Sequence, residues 1–355
     1  MFRSELVSNN RINAKDLLNK NLLVLAAGSN NGNFTTKVGK EMGLEVYFPC
    51  AYHPDHEVKA KLPSSVEGKT VVFMQVAYPN IAESILELAL LNDAARRSGA
   101  NKIINFLPYF PYSRSEKKDE PGISISARVV VNMLETSGAN RFGTFDLHNL
   151  AIEGFTNGPW DNVFVDQTMV PEILTQIDAT RTKIMPPDVG RAKRAEVWRN
   201  QMGACGVANI IKERDSSGKI VKITLVGDVD GYDVVIVDDI YATGETIYKA
   251  AVACKENGAR KVFAAFTFGI FAPGKDVRDR DSEQNVGVQY FSNAPIDRLF
   301  TTDVISLPQS LVNEQRIQQI SVAPLAADML ARICLGIPVS GGQTPLGYFP
   351  SLTES

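Results

Sequence analysis

Asp233-Val-Val-Ile-Val-Asp-Asp-Ile-Tyr-Ala-Thr-Gly-Glu-Thr246 is an apolar run that stops at two carboxylates, crosses a small-residue turn and enters an amphipathic stretch. The order implies a strand, a loop and a helix. Val234 to Val237 is apolar and β-branched on both alternations, the pattern of a strand covered on both faces of a parallel sheet. From Thr246 the spacing turns helical, with Ile247, Ala250, Ala251 and Cys254 on one side and Gly258 as a stop. Between them, Thr243-Gly-Glu-Thr246 places hydroxyls and backbone N–H groups at a helix N-terminus, where unpaired donors and the dipole favour a phosphate. Asp238 and Asp239 could accept hydrogen bonds from vicinal sugar hydroxyls or hold a hydrated magnesium ion. A sugar phosphate would satisfy both ends; a capped helix beside a solvated acidic turn is the plainer alternative.

The stretch Val237-Asp-Asp-Ile-Tyr-Ala-Thr-Gly-Glu-Thr246 resembles the ribose-phosphate loop of the phosphoribosyltransferase and phosphoribosyl pyrophosphate (PRPP) synthetase superfamily. The resemblance implies that Asp238, Asp239, Ala242, Thr243, Gly244, Glu245 and Thr246 receive a ribose phosphate. Two positions depart from it. Glu245 stands where a second glycine is usual, and Ala242 where PRPP synthetases usually carry aspartate, although several phosphoribosyltransferases also have alanine there.

The 355 residues suffice for two domains with cores of their own, and 44% hydrophobic with 22% charged residues is the balance of a soluble globular chain. A net charge of -3 gives no support for general nucleic-acid binding. Cys50, Cys205, Cys254 and Cys334 are dispersed without metal-ligand spacing, so free thiols in a reducing compartment are expected. No run approaches membrane-spanning length and the first residues lack the apolar core of a signal peptide, which makes a cytoplasmic protein the expectation.

Strand signals at residues 21–28, 69–76, 101–107 and 141–147 alternate with helical stretches at 34–42, 81–98 and 124–137. Such alternation predicts a mostly parallel sheet flanked by helices. The pattern breaks around Asn157-Gly-Pro-Trp160 and resumes with strands at 183–185, 221–226, 234–237 and 261–268. The expected architecture is therefore α/β, with an N-terminal domain at 1–158, a second at 159–322, and a helix from Ala323 to Leu335 with a loosely held tail at the end.

Strand-end loops carry the remaining signals. Pro108-Tyr-Phe-Pro-Tyr-Ser-Arg-Ser-Glu-Lys-Lys-Asp119 mixes aromatics with clustered charge, unlike an ordinary short connector. Arg114 could stack on a base or grip a phosphate. The stretch is similar to the ATP-binding segment of PRPP synthetases, which implies ATP contacts for Arg114, Ser115 (in place of the usual glutamine) and Asp119. Asp146-Leu-His148 resembles the family motif that implies contact between His148 and magnesium–nucleotide. Pro187-Asp-Val-Gly-Arg191 resembles its Pro-Asp-x-Gly-Gly segment, which implies a metal-ligating Asp188; Arg191 replaces the second glycine and adds a cation expected to face the phosphate site. Ile211-Lys-Glu-Arg-Asp-Ser-Ser-Gly-Lys219 reads as a hairpin tip by composition. By resemblance it is the flexible catalytic loop, with Lys212 and Arg214 as its cations. Asp55 and Glu57 align with a segment that reaches a neighbouring subunit's adenine, which implies a homo-oligomer built from dimers, a hexamer being one such assembly.

These resemblances cover roughly residues 20–335 and imply two phosphoribosyltransferase-like domains with the active site between them. The implied chemistry moves the β,γ-diphosphoryl group of ATP to the anomeric hydroxyl of a ribose phosphate with Mg2+ and releases AMP. Ribose 5-phosphate is the expected acceptor, giving PRPP. ADP-ribose, giving its anomeric pyrophosphate in NAD metabolism, is the alternative suggested by Glu245 and Arg191. A phosphoribosyltransferase or a catalytically silent paralogue would be the other classes.

Overall fold

The computed structural model describes residues 23–336 except 31, 63–64, 215–219, 276 and 278, together with 338–339, with backbone alone at 23, 189, 213–214 and 220–222. It divides into two compact units, residues 1–164 with 323–355, and residues 165–322.

In the first unit β1 (Leu23–Ala27) leads into α1 (Gly32–Met42), and β2 (Val46–Tyr47) precedes a two-stranded hairpin of β3 (Cys50–Tyr52) and β4 (Val58–Ala60). Then come β5 (Thr70–Met74), α2 (Ile81–Arg97), β6 (Lys102–Leu107), α3 (Ser126–Ser137), β7 (Arg141–Phe145) and β8 (Trp160–Val163). The sheet order is β2-β1-β5-β6-β7-β8, every pair parallel. Val71, Phe73, Ile103 and Phe142 meet Ile85, Leu88 and Val131 from the helices in one buried cluster. This is why the strands read as continuous apolar runs: both sheet faces are covered.

The second unit repeats the plan with α4 (Asp166–Leu174), β9 (Thr182–Met185), α5 (Ala192–Met202), β10 (Gly206–Val207), β11 (Asn209–Arg214), β12 (Ile220–Val226), β13 (Asp233–Tyr241), α6 (Glu245–Glu256), β14 (Lys261–Gly269), α7 (Val286–Asn293), β15 (Arg298–Thr302) and β16 (Ile317–Ile320). Its sheet runs β10-β9-β13-β14-β15-β16, again all parallel. The decisive stretch lies at its centre: Val234 and Ile236 are fully buried, as are Ala250, Ala251 and Cys254 of α6. The two-domain parallel α/β fold expected from the sequence is thus present.

Three expectations differ from the structure. Val221–Val226 is not a strand of the parallel sheet; β12 pairs antiparallel with β11 in a separate hairpin, with Ile223 and Leu225 packed on the core and Thr224 between them. A single covered face explains the alternation. The boundary expected after residue 158 falls between Phe164 and Val165, because Trp160–Val163 forms the sixth strand of the first sheet. Finally, α8 (Ala323–Leu335) is no terminal appendage. It packs on α1 in the first unit, with Ala323, Leu325, Ala326, Met329, Leu330 and Ile333 buried.

Among the described residues no helix is long and apolar enough to cross a membrane. All four cysteines are free, and burial pushes the thiols of Cys50 and Cys254 up to about 12, which leaves both protonated and unreactive at neutral pH.

Candidate functional site

The second unit holds the tighter constellation. β13 is buried along its length except at Asp238 and Asp239, which are half-buried, and its ladder with β14 pairs Asp238 with Phe266 and Ile240 with Phe268 while skipping Asp239. Both carboxylates are within reach of one guanidinium. The Asp239 N–H donates to Asp238 Oδ1 at 2.9 Å, and the Arg191 guanidinium reaches both acids, Nη2 to Asp239 Oδ2 at 2.8 Å and Nε to Asp238 Oδ1 at 3.4 Å. The sequence placed Arg191 toward the phosphate; its guanidinium is instead on the two carboxylates.

Burial, then the charge of Asp239, pushes the Asp238 carboxyl up to about 8, with Arg191 acting in the opposite direction. A raised carboxyl pKa favours the protonated folded state. Asp238 therefore costs nothing below its ordinary value of 3.8, costs progressively more as pH rises through the interval, and reaches its full cost above about 8. Asp238→Asn is expected to raise the melting temperature of the ligand-free protein by a few degrees at pH 8–9, with the gain disappearing near pH 4. Thermal scans across that range check it; a gain independent of pH would assign the effect to packing.

After Tyr241 the chain turns through Ala242-Thr-Gly244 into α6, which begins at Glu245, one residue earlier than the sequence suggested. Gly244 caps the helix with φ +80° and brings no capping side chain of its own, an arrangement in which backbone N–H groups can be presented to an anion. A Cβ at Gly244 would lie 2.0 Å from the Tyr241 hydroxyl, which is itself held by the Gly287 carbonyl at 3.2 Å. Glu245, the acid in the phosphate loop, is paired with Lys249 one turn on, Nζ to Oε1 at 2.7 Å. That i,i+4 spacing was visible in the sequence and had gone unused.

Asp188 follows β9 on an exposed turn: Gly190 N–H donates to Oδ1 at 2.9 Å and Lys212 Nζ lies 3.5 Å from Oδ2. Lys212 projects from β11, with only 9% of its side chain exposed. Lys212 and Arg214 thus stand on a strand rather than in the loop itself; the Arg214 side chain and loop residues 215–219 lie outside the described residues.

In the first unit the ATP candidates sit at strand ends. Arg114 and Asp119 are exposed and Ser115 is half-buried, its N–H donating to Tyr112 O at 2.8 Å and its carbonyl accepting from Ala127 at the start of α3, 3.3 Å. Lys117 and Asp119 approach to 3.8 Å, both well solvated. His148 follows β7 after Asp146, a buried residue at φ 37°. Glu116, missed in the sequence, joins these loops. Its carboxylate accepts from Asn149 at 3.2 Å, and although burial opposes it, Glu116's own N–H, Asn149 and the charges of His148 and Lys117 hold its pKa below the usual carboxylate value. Asp55 and Glu57 form the exposed tip of the β3–β4 hairpin, Glu57 N–H to Asp55 Oδ1 at 3.2 Å.

Among the described residues no three His, Cys, Asp or Glu side chains converge to hold a metal. One or two carboxylates, with phosphate oxygens and water completing the octahedron, is how magnesium binds beside nucleotides, and Asp188 fits that mode.

Residues 23–138 match the N-terminal domain of ribose phosphate pyrophosphokinase, and residues 209–340 match the phosphoribosyl synthetase-associated domain. Ribose-phosphate pyrophosphokinase 2 of Schizosaccharomyces pombe is 31% identical over 323 residues, 90% of this chain and 97% of its own length. Ribose-phosphate pyrophosphokinase of Xylella fastidiosa is likewise 31% identical, over 90% of this chain and 96% of its own. The crystal structure of phosphoribosylpyrophosphate synthetase from Mycobacterium smegmatis superposes with a TM-score of 0.80 at 27% identity, covering 88% of this chain and 99% of that one. The chain belongs to the ribose-phosphate pyrophosphokinase family, whose members are diphosphotransferases.

Proposed function

We propose that the protein transfers the β,γ-diphosphoryl group of ATP to the anomeric hydroxyl of ribose 5-phosphate, forming PRPP and AMP. The observation that carries it is the diol-to-phosphate span of one loop: Asp238 and Asp239 at one end and the glycine-capped N-terminus of α6 at the other. The carboxylates accept from the ribose hydroxyls, while the backbone of Thr243–Thr246 takes the 5′-phosphate. Glu245, engaged by Lys249, is partly neutralised there.

In the reaction the anomeric oxygen bonds to the β-phosphorus of ATP and the bond from that phosphorus to the α–β bridging oxygen breaks. AMP leaves with that oxygen, and the hydroxyl proton passes to solvent. Positioning and charge neutralisation supply most of the catalysis in such transfers. Lys212 stabilises the charge that develops on the transferred group, and Arg214 is assigned the same role by its place in the family motif. Arg114, Ser115 and Asp119 hold ATP; Asp55 and Glu57 are assigned to the adenine of a neighbouring copy in a homo-oligomer. Asp188 and His148 are the residues that would hold Mg2+, which when bound screens the repulsion between two anionic substrates. The working compartment of this chemistry is the cytoplasm.

ADP-ribose is the alternative acceptor, and the Lys249 pairing weakens the argument for it. The Glu245 carboxylate, 38% exposed, stands in the first turn of the phosphate-binding helix. A phosphate monoester brings about -1.5 to -2 charges to it at pH 7, whereas the phosphate of ADP-ribose, substituted on both sides, brings about one. Incubation with ATP and magnesium and either acceptor, followed by mass analysis, decides between them. Ribose 5-phosphate is expected to be consumed with ADP-ribose left intact; the reverse would replace the acceptor and keep the transfer chemistry.

A further inference from the structure

We infer that Arg191 is a resident counter-cation for the hydroxyl-binding carboxylates, so that the acceptor's diol is taken up with no divalent ion at the Asp238–Asp239 pair. The inference rests on the reading of that pair as the ribose-hydroxyl site and identifies Arg191 as a positioning residue for it.

Two adjacent acids with side chains only 20% and 10% exposed form a site where a cation offsets the cost of ionising them. The chain supplies one. Arg191 contributes Nη2 at 2.8 Å from Asp239 Oδ2 and Nε at 3.4 Å from Asp238 Oδ1, and its own side chain is 22% exposed. Its starting point is fixed, because its N–H donates to Asp188 O at 3.0 Å and the residue caps the N-terminus of α5. A guanidinium stays charged at any working pH and its planar fork suits carboxylates. Where the resembling segment has a second glycine, no side chain could fill this role, and the space in front of the acids would be left to a hydrated ion. With Arg191 in place, an approaching divalent cation meets a fixed positive charge at contact distance of both acids. The magnesium that turnover requires then enters with ATP alone.

The test uses the whole protein, Mn2+ as the probe, and neither nucleotide nor sugar. Bound Mn2+ is counted by electron paramagnetic resonance of the free ion. Wild type and Asp239→Asn are expected to bind the same number, since no ion uses the pair. Arg191→Gly and Arg191→Gln should each gain roughly one Mn2+ per chain, and adding Asp239→Asn to either should remove it. Two results overturn the inference: a wild-type site lost in Asp239→Asn, or no gain in folded Arg191 variants. The wild-type comparison stands even where an Arg191 variant fails to fold. Because no substrate is present, failure here leaves the proposed reaction untouched, and failure of the reaction leaves the metal count untouched.

Discussion

Lys212→Ala lowers turnover roughly a hundred- to thousandfold, with the Michaelis constant for ATP changed by only a few fold; this is the expected outcome of losing a donor that acts on charge formed in the transition state, typically worth ~2.7–4 kcal/mol. The ammonium is well placed for it. Lys212 is anchored in β11 rather than carried on a loose segment, most of its side chain is out of solvent, and Asp188 lies 3.5 Å from its ammonium. That contact is long and Asp188 is 57% exposed, so the pair by itself contributes little. Circular dichroism and a melting curve establish that the variant is folded before its kinetics are read. Steady-state kinetics showing an unchanged maximal rate with a raised Michaelis constant would remove Lys212 from the transition state and leave it a ground-state binder.

Gly244→Ala is expected to raise the acceptor's Michaelis constant tenfold or more and to lower the melting temperature. The backbone sits at φ +80°, and an alanine held there carries roughly 1–2 kcal/mol of strain. The added Cβ would also lie 2.0 Å from the Tyr241 hydroxyl. Tyr241 has little freedom to retreat: it is 1% exposed, its ring packs on Phe266 and Phe271 with centroids 5.4 and 4.7 Å away, and its hydroxyl is bonded to Gly287. The turn must shift instead, and it carries the N–H groups assigned to the phosphate; about 1.4 kcal/mol of lost binding is a factor of ten. Gly244→Ala with Tyr241→Phe tests whether the ring itself, and not its hydroxyl, displaces the turn. Removing the hydroxyl should restore little, because the ring carbon behind it would still lie 2.4 Å from the new Cβ. Full activity in the single variant would mean that the loop tolerates a side chain and does not approach a phosphate closely.

The strands β1, β5, β6, β7, β9, β13 and β14 and the helices α1, α2, α3, α6 and α8 were legible because apolar periodicity records which faces are covered, and the family motifs are contiguous stretches that stay together on folding. What escaped was set by contacts distant in sequence. β12 looked like a parallel-sheet strand until its antiparallel partner β11 was known. Trp160–Val163 is too short to declare its sheet, and it is β7 that recruits it. The apolar stripe of α8 announces burial but not against which unit. At the site the residue types were readable and their directions were not. Arg191 could equally have faced a phosphate; in the fold its guanidinium contacts both acids. Glu245 read as a repulsive charge because its Lys249 partner lay one helical turn beyond the motif.

The central claim is that a diphosphoryl group, not a single phosphoryl group, leaves ATP. Phosphorus-31 NMR of a reaction containing the protein, ATP, magnesium and ribose 5-phosphate tests it most directly. The account predicts AMP and a sugar carrying an anomeric pyrophosphate, formed in equal amounts. ADP with a singly phosphorylated product, or ATP left unchanged while added PRPP is consumed in the presence of a base, would contradict it.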